Sequence, residues 1–481
     1  MKIIFLSSKF IEPDLSVEFG EILPTEIPLL NKKLFHHQLE SVKYLKSDIY
    51  ITIPIKYDIE FNYSVNKIEI DYNKSLIEVL NLISKQFELT EKLFIYYGDS
   101  LLLSHELTDF SKNYLFVQKA KYNYKWGEIN NEEYVFAGGI LLNNFDLIRA
   151  LEDSFTFNDF IHNFQKNNNL IFYKEFQWLD FGHSLTYYNS RRQFLETRDF
   201  NKIEFHNGFI IKSSKDSFKI WSEYKWLNTF KNYFPHNIPF VTSFDIKGDH
   251  ASYSLEYLYH PVLSDIFVFG KQPMNFFIGL LKILKNLLIE IKKSEIKFSN
   301  LEYANDSFYI LKIKERREEI IKCVDKLNFD THFINNLIEN NLKYFNNFRS
   351  KYSIMHGDFC FSNILFNFST YQPILIDPRG YTDKDIGNSF FGPTDYDIFK
   401  LAHSFVAGYD LIVSDAMNDE FFSEKNVQIR LNIFIEIFEI DKTHLLMGLK
   451  HLFLTMIPLH KNSEKRQEGF LLILNLLNRI C

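Results

Sequence analysis

Hydrophobic positions in residues 1–125 alternate between short apolar runs and runs with helical spacing. Short apolar runs predict buried β-strands, and apolar residues that recur at positions i, i+3 and i+4 predict amphipathic helices. The alternating segments, in chain order, are Ile3–Leu6, Leu34–Tyr44, Ile49–Ile55, Leu76–Phe87 and Leu93–Tyr97. Strands that alternate with helices predict an α/β domain with a mostly parallel sheet.

The pattern changes near residue 200, where we predict a domain boundary. Asn207-Gly208 separates two short apolar runs, which is a strong signal for a β-hairpin. The predicted elements are hairpin strands over Lys202–His206 and Phe209–Lys212, a helix over Lys215–Phe230, strands over Phe240–Ile246 and Ala251–Tyr257, and then mainly helices. A small β-rich lobe before a larger helical lobe predicts an α+β bilobal domain. The expected divisions are therefore residues 1–198, 199–260 and 261–481.

Three polar residues interrupt two apolar strands in the C-terminal half. The segments that carry them are His356-Gly357-Asp358-Phe359, Asn363-Ile364-Leu365-Phe366 and Ile376-Asp377-Pro378-Arg379-Gly380. Phosphoryl transfer from ATP needs a carboxylate beside the attacking hydroxyl. It also needs an amide oxygen and a second carboxylate that hold magnesium against the phosphates. The order Asp, Asn, Asp supplies these groups, and it predicts a kinase.

Composition and charge exclude several other classes of protein. The chain is 46% hydrophobic and 24% charged, which is typical of a globular protein. Its net charge of -7, without a cluster of Lys and Arg, indicates no nucleic-acid partner. No uninterrupted apolar run is long enough to cross a bilayer, and the three cysteines lack metal-type spacing. We therefore expect a cytoplasmic protein without membrane insertion, whose oligomeric state the sequence leaves open.

The C-terminal half resembles the aminoglycoside phosphotransferase and choline kinase family. The residues that carry the resemblance are His356-Gly357-Asp358, Asn363, Asp377 and the later segment Asp395–Leu401. The resemblance implies that Asp358 orients and deprotonates the acceptor hydroxyl, and that Asn363 and Asp377 bind Mg²⁺. It also implies ATP as the phosphate donor and a sugar or an amino alcohol as the acceptor. The alternative is a turn and a strand end that share this spacing by chance.

Four residues before this motif are candidates for binding ATP. A kinase fold needs a strand lysine that contacts the phosphates and a helix glutamate that orients it. Lys212 and Glu223 fit these roles, with Lys215 as the next-best lysine, although such a pair can also be a solvated surface pair. Glu256 and Tyr257 would form the hinge that binds adenine through its backbone; the alternative is an ordinary strand end.

Two residues that flank the candidate aspartates have predicted supporting roles. Arg379 could contact a phosphate or an anionic substrate, but we favour an ion pair with Asp395 or Asp397. His356 is expected to brace the catalytic loop by hydrogen bonds, because Asp358 already fills the role of the base.

The N-terminal half resembles, in fewer features, the sugar-nucleotide and phosphocholine-type nucleotidyltransferases. The matching segments are the strand Lys2–Leu6, the proline-containing loop Ile27–Leu34, Phe94–Asp99, and Trp178–His183 followed by Tyr187. The resemblance implies that Asp99 and Asp180 hold Mg²⁺ between a nucleoside triphosphate, CTP or another, and a phosphorylated substrate. The alternatives are a turn residue for Asp99 and a cap or structural contact for Asp180.

One departure from those enzymes lies directly after the first strand. They have a glycine-rich loop there, whose backbone amides reach the triphosphate. In this chain the corresponding segment, Ser7–Pro13, contains no glycine, and its Cβ atoms should crowd the phosphates.

The sequence thus predicts an ATP-dependent small-molecule kinase fused to a nucleotidyltransferase-like domain. By analogy with the families, the fusion would supply an activated precursor for bacterial surface polysaccharide. The alternative is a kinase whose N-terminal domain is an inactive nucleotide- or sugar-binding module or a scaffold. A pseudokinase is the third possibility, against which the intact Asp358, Asn363 and Asp377 argue.

Overall fold

A computed structural model of the chain describes residues 1–59, 63–119, 128–129, 134–166, 170–195, 202–248, 250–293, 307–348, 352–381 and 390–480. The chain forms two compact units. Unit 1 comprises Met1–Phe194 with Phe269–Lys271, and unit 2 comprises Leu195–Val268 with Gln272–Cys481. No helix among the described residues is long and apolar enough to cross a membrane.

Unit 1 alternates strands and helices. Its elements are β1 Lys2–Leu6, α1 Pro13–Phe19, β2 Pro28–Leu29, β3 Lys32–Lys33, α2 Leu34–Val42, β4 Asp48–Pro54, β5 Asn66–Ile70, α3 Leu76–Ser84, β6 Lys92–Tyr97, β7 Ser100–Leu103, β8 Asn113–Lys119, β9 Glu128–Ile129, β10 Tyr134–Asn143, α4 Asn144–Leu151, α5 Phe157–Gln165, β11 Leu170–Tyr173, β12 Gln177–Asp180 and α6 Ser184–Leu195. Helix α3 begins where predicted because Ser75 caps it, accepting a hydrogen bond from the Glu78 amide.

An eight-stranded sheet forms the centre of unit 1, in the order β11-β8-β10-β6-β1-β4-β5, with β9 on β10. Strand β1 is parallel to β4 and β6, and β4 is parallel to β5, whereas β10 is antiparallel to β6 and β8. Successive residues of β1 enter different cores: Ile4 packs on one face, and Ile3 and Phe5 pack on the other. The predicted parallel sheet is therefore present around β1, and the sheet as a whole is mixed.

Unit 2 begins with a small antiparallel sheet and continues mainly as helices. Its elements are β13 Lys202–His206, β14 Phe209–Ser214, α7 Ser217–Phe230, β15 Val241–Lys247, β16 His250–Glu256, α8 Leu263–Phe269, α9 Met274–Lys293, α10 Ser307–Lys326, α11 Thr331–Asn347, β17 Tyr352–Ile354, β18 Ile364–Asn367, β19 Gln372–Leu375, β20 Phe391–Pro393, α12 Tyr396–Phe405, α13 Tyr409–Val413, α14 Glu424–Phe438, α15 Lys442–Met456 and α16 Glu464–Arg479.

The small sheet of unit 2 has the order β13-β14-β16-β15, and α7 packs against it. Asn207 and Gly208 join β13 to β14 with φ values of 49° and 84°, which is the positive-φ pair that a two-residue type I′ turn needs. Helix α7 begins at Ser217, two residues after the predicted start, because Asp216 caps it by accepting from the Lys219 amide.

Candidate active site

A buried ion pair links the small sheet of unit 2 to helix α7. Nζ of Lys212, on β14, lies 2.7 Å from Oε2 of Glu223, on α7, and the side chain of Glu223 is 3% exposed. The same ammonium lies 2.9 Å from Oδ1 of Asp377, so one lysine joins the predicted ATP-binding pair to a predicted metal ligand. Tyr253 donates its hydroxyl to Glu223 at 3.1 Å. Burial raises the pKa of Glu223, and Lys212 opposes this shift.

Asp358 is held in its ionised form by a lysine that the sequence analysis did not single out. Nζ of Lys400, on α12, lies 2.7 Å from Oδ1 of Asp358. Burial alone would raise the pKa of Asp358, but the charge and hydrogen bond of Lys400 outweigh it and lower the pKa to about 2. At neutral pH Asp358 is therefore a carboxylate that can accept a hydrogen bond from an acceptor hydroxyl.

The segment that carries Asp358 is fixed by the start of α12. The backbone amides of His356 and Gly357 donate to the two carboxylate oxygens of Asp397, at 2.7 and 2.8 Å. His356 Nε2 donates to the carbonyl of Ile376 at 3.1 Å, and its Nδ1 accepts from the amide of Asp358 at 3.3 Å. Burial lowers the pKa of His356 to about 4, so the ring is neutral at physiological pH. Its two hydrogen bonds connect the segment of Asp358 to the segment of Asp377.

Asn363 and Asp377 both line the cavity that contains Asp358, which has a volume of about 330 Å³. The amide nitrogen of Asn363 donates to the carbonyl of Asp358 at 3.0 Å, which leaves the amide oxygen for a cation. Among the described residues there is no group of three or more His, Cys, Asp and Glu side chains that could hold a metal ion. One carboxylate and one amide oxygen still fit Mg²⁺, because this ion completes its shell with water and substrate phosphates.

Helix α7 is held against the segments of Asp358 and Asp377 by two contacts. Trp226 donates its indole N–H to the carbonyl of Met355 at 3.0 Å, one residue before the segment of Asp358. Gly380, three residues after Asp377, has a φ of +72° and lies directly on the carbonyl of Ser222. A side chain at this glycine would collide with the backbone of α7.

We expect Gly380→Ala to lower the free energy of unfolding by about 2 kcal/mol or more, since it combines an unfavourable φ with a backbone collision. The collision should also displace Glu223, the partner of Lys212, because Glu223 follows Ser222 on the helix. Gly248→Ala is a matched control: its φ is +63°, and an added Cβ meets no atom of the described residues within 4 Å. Urea denaturation measures both variants, and equal stability losses would show that the close approach to α7 is unimportant.

The prediction that Arg379 pairs with Asp395 or Asp397 is wrong. Asp395 instead lies 2.9 Å from Nε2 of His444, and Asp397 accepts the two backbone amides described above. The guanidinium of Arg379 lies 5.1 Å from the ring centre of Tyr381 and lines the cavity beside Asp358. The two aspartates are occupied in holding the fold, and this leaves Arg379 facing the cavity.

The predicted hinge residues lie at the end of β16, and their backbone amides already have partners. The amide of Glu256 donates to the carbonyl of Phe240 at 2.9 Å, and that of Tyr257 donates to Gly208 at 2.9 Å. The Glu256 carboxylate accepts from the Phe240 amide at 2.7 Å. An adenine ring at this segment would therefore have to use backbone carbonyls or amides beyond Tyr257.

In unit 1, the two predicted metal ligands lie close together. A Cβ built on Gly182 would lie 3.1 Å from Oδ2 of Asp99 and 3.3 Å from Oδ1 of Asp180. Burial and the charge of Asp180 raise the pKa of Asp99 to about 7. A neighbouring carboxylate that raises the pKa of Asp99 in this way favours a bound cation.

Asp99 also lies where a sheet of this topology offers a binding crevice. The chain places β4 and β5 on one side of β1 and β6 on the other, so the strand order reverses between β1 and β6. Ligands of such sheets bind beyond the carboxyl ends of the strands at this point. Asp99 follows β6, and the glycine-free segment Ser7–Pro13 follows β1.

Two backbone amides of the segment after β1 already form hydrogen bonds within the protein. The amide of Ser7 donates to Oγ1 of Thr52 at 2.9 Å, and that of Ile11 donates to the carbonyl of Ile22 at 3.0 Å. These two amides are thus unavailable to a triphosphate in this conformation. Any phosphate contacts from the backbone amides of the segment would come from Ser8, Lys9, Phe10 or Glu12.

No protein-family model and no curated protein matches the chain. Solved structures similar to it include aminoglycoside phosphotransferases. The GDP and kanamycin complex of APH(2")-IIia has 12% identity and a TM-score of 0.42, covering 59% of this chain and 91% of that one. A thermostable mutant of APH(4)-Ia with ADP and hygromycin B has 9% identity and a TM-score of 0.39, covering 60% and 96%. APH(3'')-Id from Streptomyces rimosus, with ADP and streptomycin, has 11% identity and a TM-score of 0.32, covering 52% and 87%. All three TM-scores are below 0.5, so the cavity is interpreted from its own residues.

Proposed function

We propose that unit 2 is a kinase that transfers the γ-phosphoryl group of ATP to a hydroxyl of a small molecule. The observation that carries this proposal is the single cavity into which Lys212, Glu223, Asp358, Asn363 and Asp377 all project. These residues come from distant parts of the chain, and their types are those that phosphoryl transfer requires. A chance match of spacing gives no reason for them to share one cavity.

In this mechanism the acceptor hydroxyl binds beside Asp358. Its oxygen forms a bond to the γ-phosphorus while the bond between that phosphorus and the leaving ADP oxygen breaks, and the hydroxyl proton passes to Asp358. Lys212, oriented by Glu223, contacts the phosphates. Asn363 and Asp377 would hold Mg²⁺, which neutralises charge on the phosphates when bound.

The low pKa of Asp358 limits how it acts. A carboxylate with a pKa of about 2 is a weak base at neutral pH, and it takes the proton only as the new bond to phosphorus makes the hydroxyl acidic. Its main work is therefore to orient the hydroxyl, which agrees with a loose transition state in which positioning dominates.

We further propose that unit 1 is a nucleotidyltransferase that converts the phosphorylated product into a nucleotide conjugate, a precursor of bacterial surface polysaccharide. The reversal of strand order beside Asp99 and the proximity of Asp180 support this proposal. CTP or another nucleoside triphosphate would bind there together with Mg²⁺. The second candidate is an inactive nucleotide- or sugar-binding module or scaffold, which the committed amides of Ser7 and Ile11 favour.

One experiment separates these activities. The full-length protein is incubated with ATP, CTP, UTP or GTP and a panel of sugars, sugar acids and amino alcohols, and ADP and pyrophosphate are measured separately. Acceptor-dependent ADP supports the kinase. Pyrophosphate that disappears in Asp99→Asn and Asp180→Asn supports nucleotidyl transfer, whereas ADP without pyrophosphate would leave unit 1 as a binding module.

If unit 1 binds a divalent cation, its affinity should rise with pH. The carboxyl of Asp99 must be ionised to bind metal, and its pKa is raised to about 7, so protons compete with the metal below that pH. One pH unit below this pKa, only about a tenth of the carboxyls are ionised, and Mn²⁺ binding should be roughly ten-fold weaker than the limit at high pH.

Calorimetric titration of Mn²⁺ into the full-length protein at several pH values measures this effect. The pH-dependent component should vanish in Asp99→Asn and persist in Asp71→Asn, which alters an exposed aspartate of the same unit. A pH-independent affinity in the wild type would contradict metal binding by Asp99.

A further inference from the structure

Among the described residues, six cationic side chains line the cavity of unit 2, and their charged neighbours divide them into two groups. Lys212 and Lys219 lie beside Glu223 and Asp377, on the side that the proposal gives to the ATP phosphates. The second group consists of Lys312, Arg316, Arg379 and Lys400. Lys400 pairs with Asp358, and the charges of the other members and of Asp358 act on Lys312. The second group lies where the acceptor must bind, because the acceptor hydroxyl has to reach Asp358.

The two groups differ in how many of their members pair with a carboxylate. Lys212 lies between two carboxylates, and Lys400 pairs with Asp358. In the part of the chain that the structure describes, Lys312, Arg316 and Arg379 form no ion pair with a carboxylate. Their hydrogen bonds go to uncharged groups: Lys312 donates to the Tyr396 hydroxyl at 3.0 Å, and Arg316 donates to the Thr455 carbonyl at 2.7 Å.

Two aromatic rings fix the position of the Lys312 ammonium group. Nζ of Lys312 lies 4.0 Å from the ring centre of Phe308 and 4.4 Å from that of Tyr396, which orient the ammonium group. Burial, together with the charges of Arg379, Lys400 and Arg316, lowers the pKa of Lys312 well below its usual value. Like charges that line one cavity and repel one another cost free energy, and a bound anion would offset that cost.

We propose that the acceptor already carries an anionic group, a carboxylate or a phosphate, which binds to Lys312, Arg316 and Arg379 while its hydroxyl lies at Asp358. The inference rests on the kinase function proposed above and names its substrate class. Arginine pairs well with both groups, because its planar N–H fork matches carboxylate and phosphate oxygens. Cationic acceptors such as amino alcohols and amino sugars would be repelled, and neutral sugars would not offset the repulsion among the three side chains.

The test uses matched acceptors that differ only in charge. One series is glycerol, glycerate, glycerol phosphate and ethanolamine; the other is glucose, glucuronate, glucose phosphate and glucosamine. Equilibrium binding of each compound to the full-length protein is measured with Mg²⁺ and a non-hydrolysable ATP analogue, and turnover is measured with ATP. We expect anionic members to bind at least about 10-fold more tightly than their neutral counterparts, the gain of one charge-assisted hydrogen bond. Comparison of the carboxylate compounds with the phosphate compounds identifies which anion the site prefers.

The variant that tests the site is Lys312→Met, with Lys314→Met as its control. Both change a lysine of α10, but Lys314 is exposed and lies outside the cavity. We expect Lys312→Met to weaken the anionic ligand, and raise its KM, about 10- to 100-fold, with the KM for ATP unchanged. Lys314→Met should change neither value.

The outcomes separate this inference from the kinase proposal. Binding of an anion that depends on Lys312, without ADP formation, would refute the kinase while the anion site stands. ADP formation with neutral or cationic acceptors preferred would overturn the anion site and leave the kinase. Failure of every anion to bind, or equal effects of the two variants, would also overturn the anion site.

Discussion

Replacing Asp358 with Asn is expected to lower ATP turnover by about 10²- to 10⁴-fold, the range that a positioned proton acceptor contributes. The amide keeps the shape of the side chain and can still accept a hydrogen bond from Lys400. It cannot take a proton from the acceptor hydroxyl, and it removes the negative charge that orients that hydroxyl. The KM for ATP should change little, because Lys212, Asn363 and Asp377 are untouched.

The measurement is acceptor-dependent ADP release, with circular dichroism and thermal unfolding to check the fold. Asp419→Asn is the control, since it makes the same chemical change at an exposed aspartate of the same unit. A turnover in Asp358→Asn within a few-fold of the wild type would remove Asp358 from the mechanism. It would leave the ion pair with Lys400 as the only role of this carboxylate.

Lys212→Met should abolish turnover and also destabilise unit 2. The substitution leaves the Glu223 carboxylate, with its side chain 3% exposed, without its main partner. Breaking a buried pair by removing one member costs about 3–5 kcal/mol, because an uncompensated charge stays buried. Urea-induced unfolding measures the loss as a lower midpoint, and ADP release measures the activity.

The double variant Lys212→Met/Glu223→Gln separates stability from catalysis. It removes the charge that Lys212→Met leaves behind, so we expect the unfolding midpoint to recover in part. Turnover should stay lost, since no cation then contacts the phosphates. If the double variant were as unstable as Lys212→Met, burial of the Glu223 charge would not explain the destabilisation. Recovered activity would exclude Lys212 from phosphate binding.

Local signals in the sequence predicted the parts of the fold that neighbouring residues determine. The Asn207-Gly208 turn needs only two residues with positive φ, and the capped start of α3 needs only Ser75 and Glu78. The segments of Asp358, Asn363 and Asp377 were visible because polar residues stand within apolar runs of the sequence. The prediction that they interrupt two strands is wrong: Asp358 follows β17, Asn363 precedes β18 and Asp377 follows β19. The antiparallel strand β10 between β6 and β8 was not predicted, because strand order depends on contacts between segments distant in sequence.

The roles in the site that sequence reasoning missed also depend on contacts between segments that are distant in sequence. Lys400 and Asp397 lie three residues apart on α12, and their roles depend on Asp358 and the His356 amide some forty residues earlier. Lys312 lies on a helix of mixed charge, where it resembles its exposed neighbour Lys314. Only the folded chain shows which of the two lysines faces the cavity.

The packing of α7 has a consequence for regulation. In protein kinases, movement of the helix that carries the glutamate switches the enzyme on and off. In this protein that helix is tied to the catalytic segments by Trp226, and Gly380 lies against its backbone without space between them. We therefore expect α7 to keep its position when nucleotide binds, because its movement would break the Trp226 hydrogen bond and separate the backbone from Gly380.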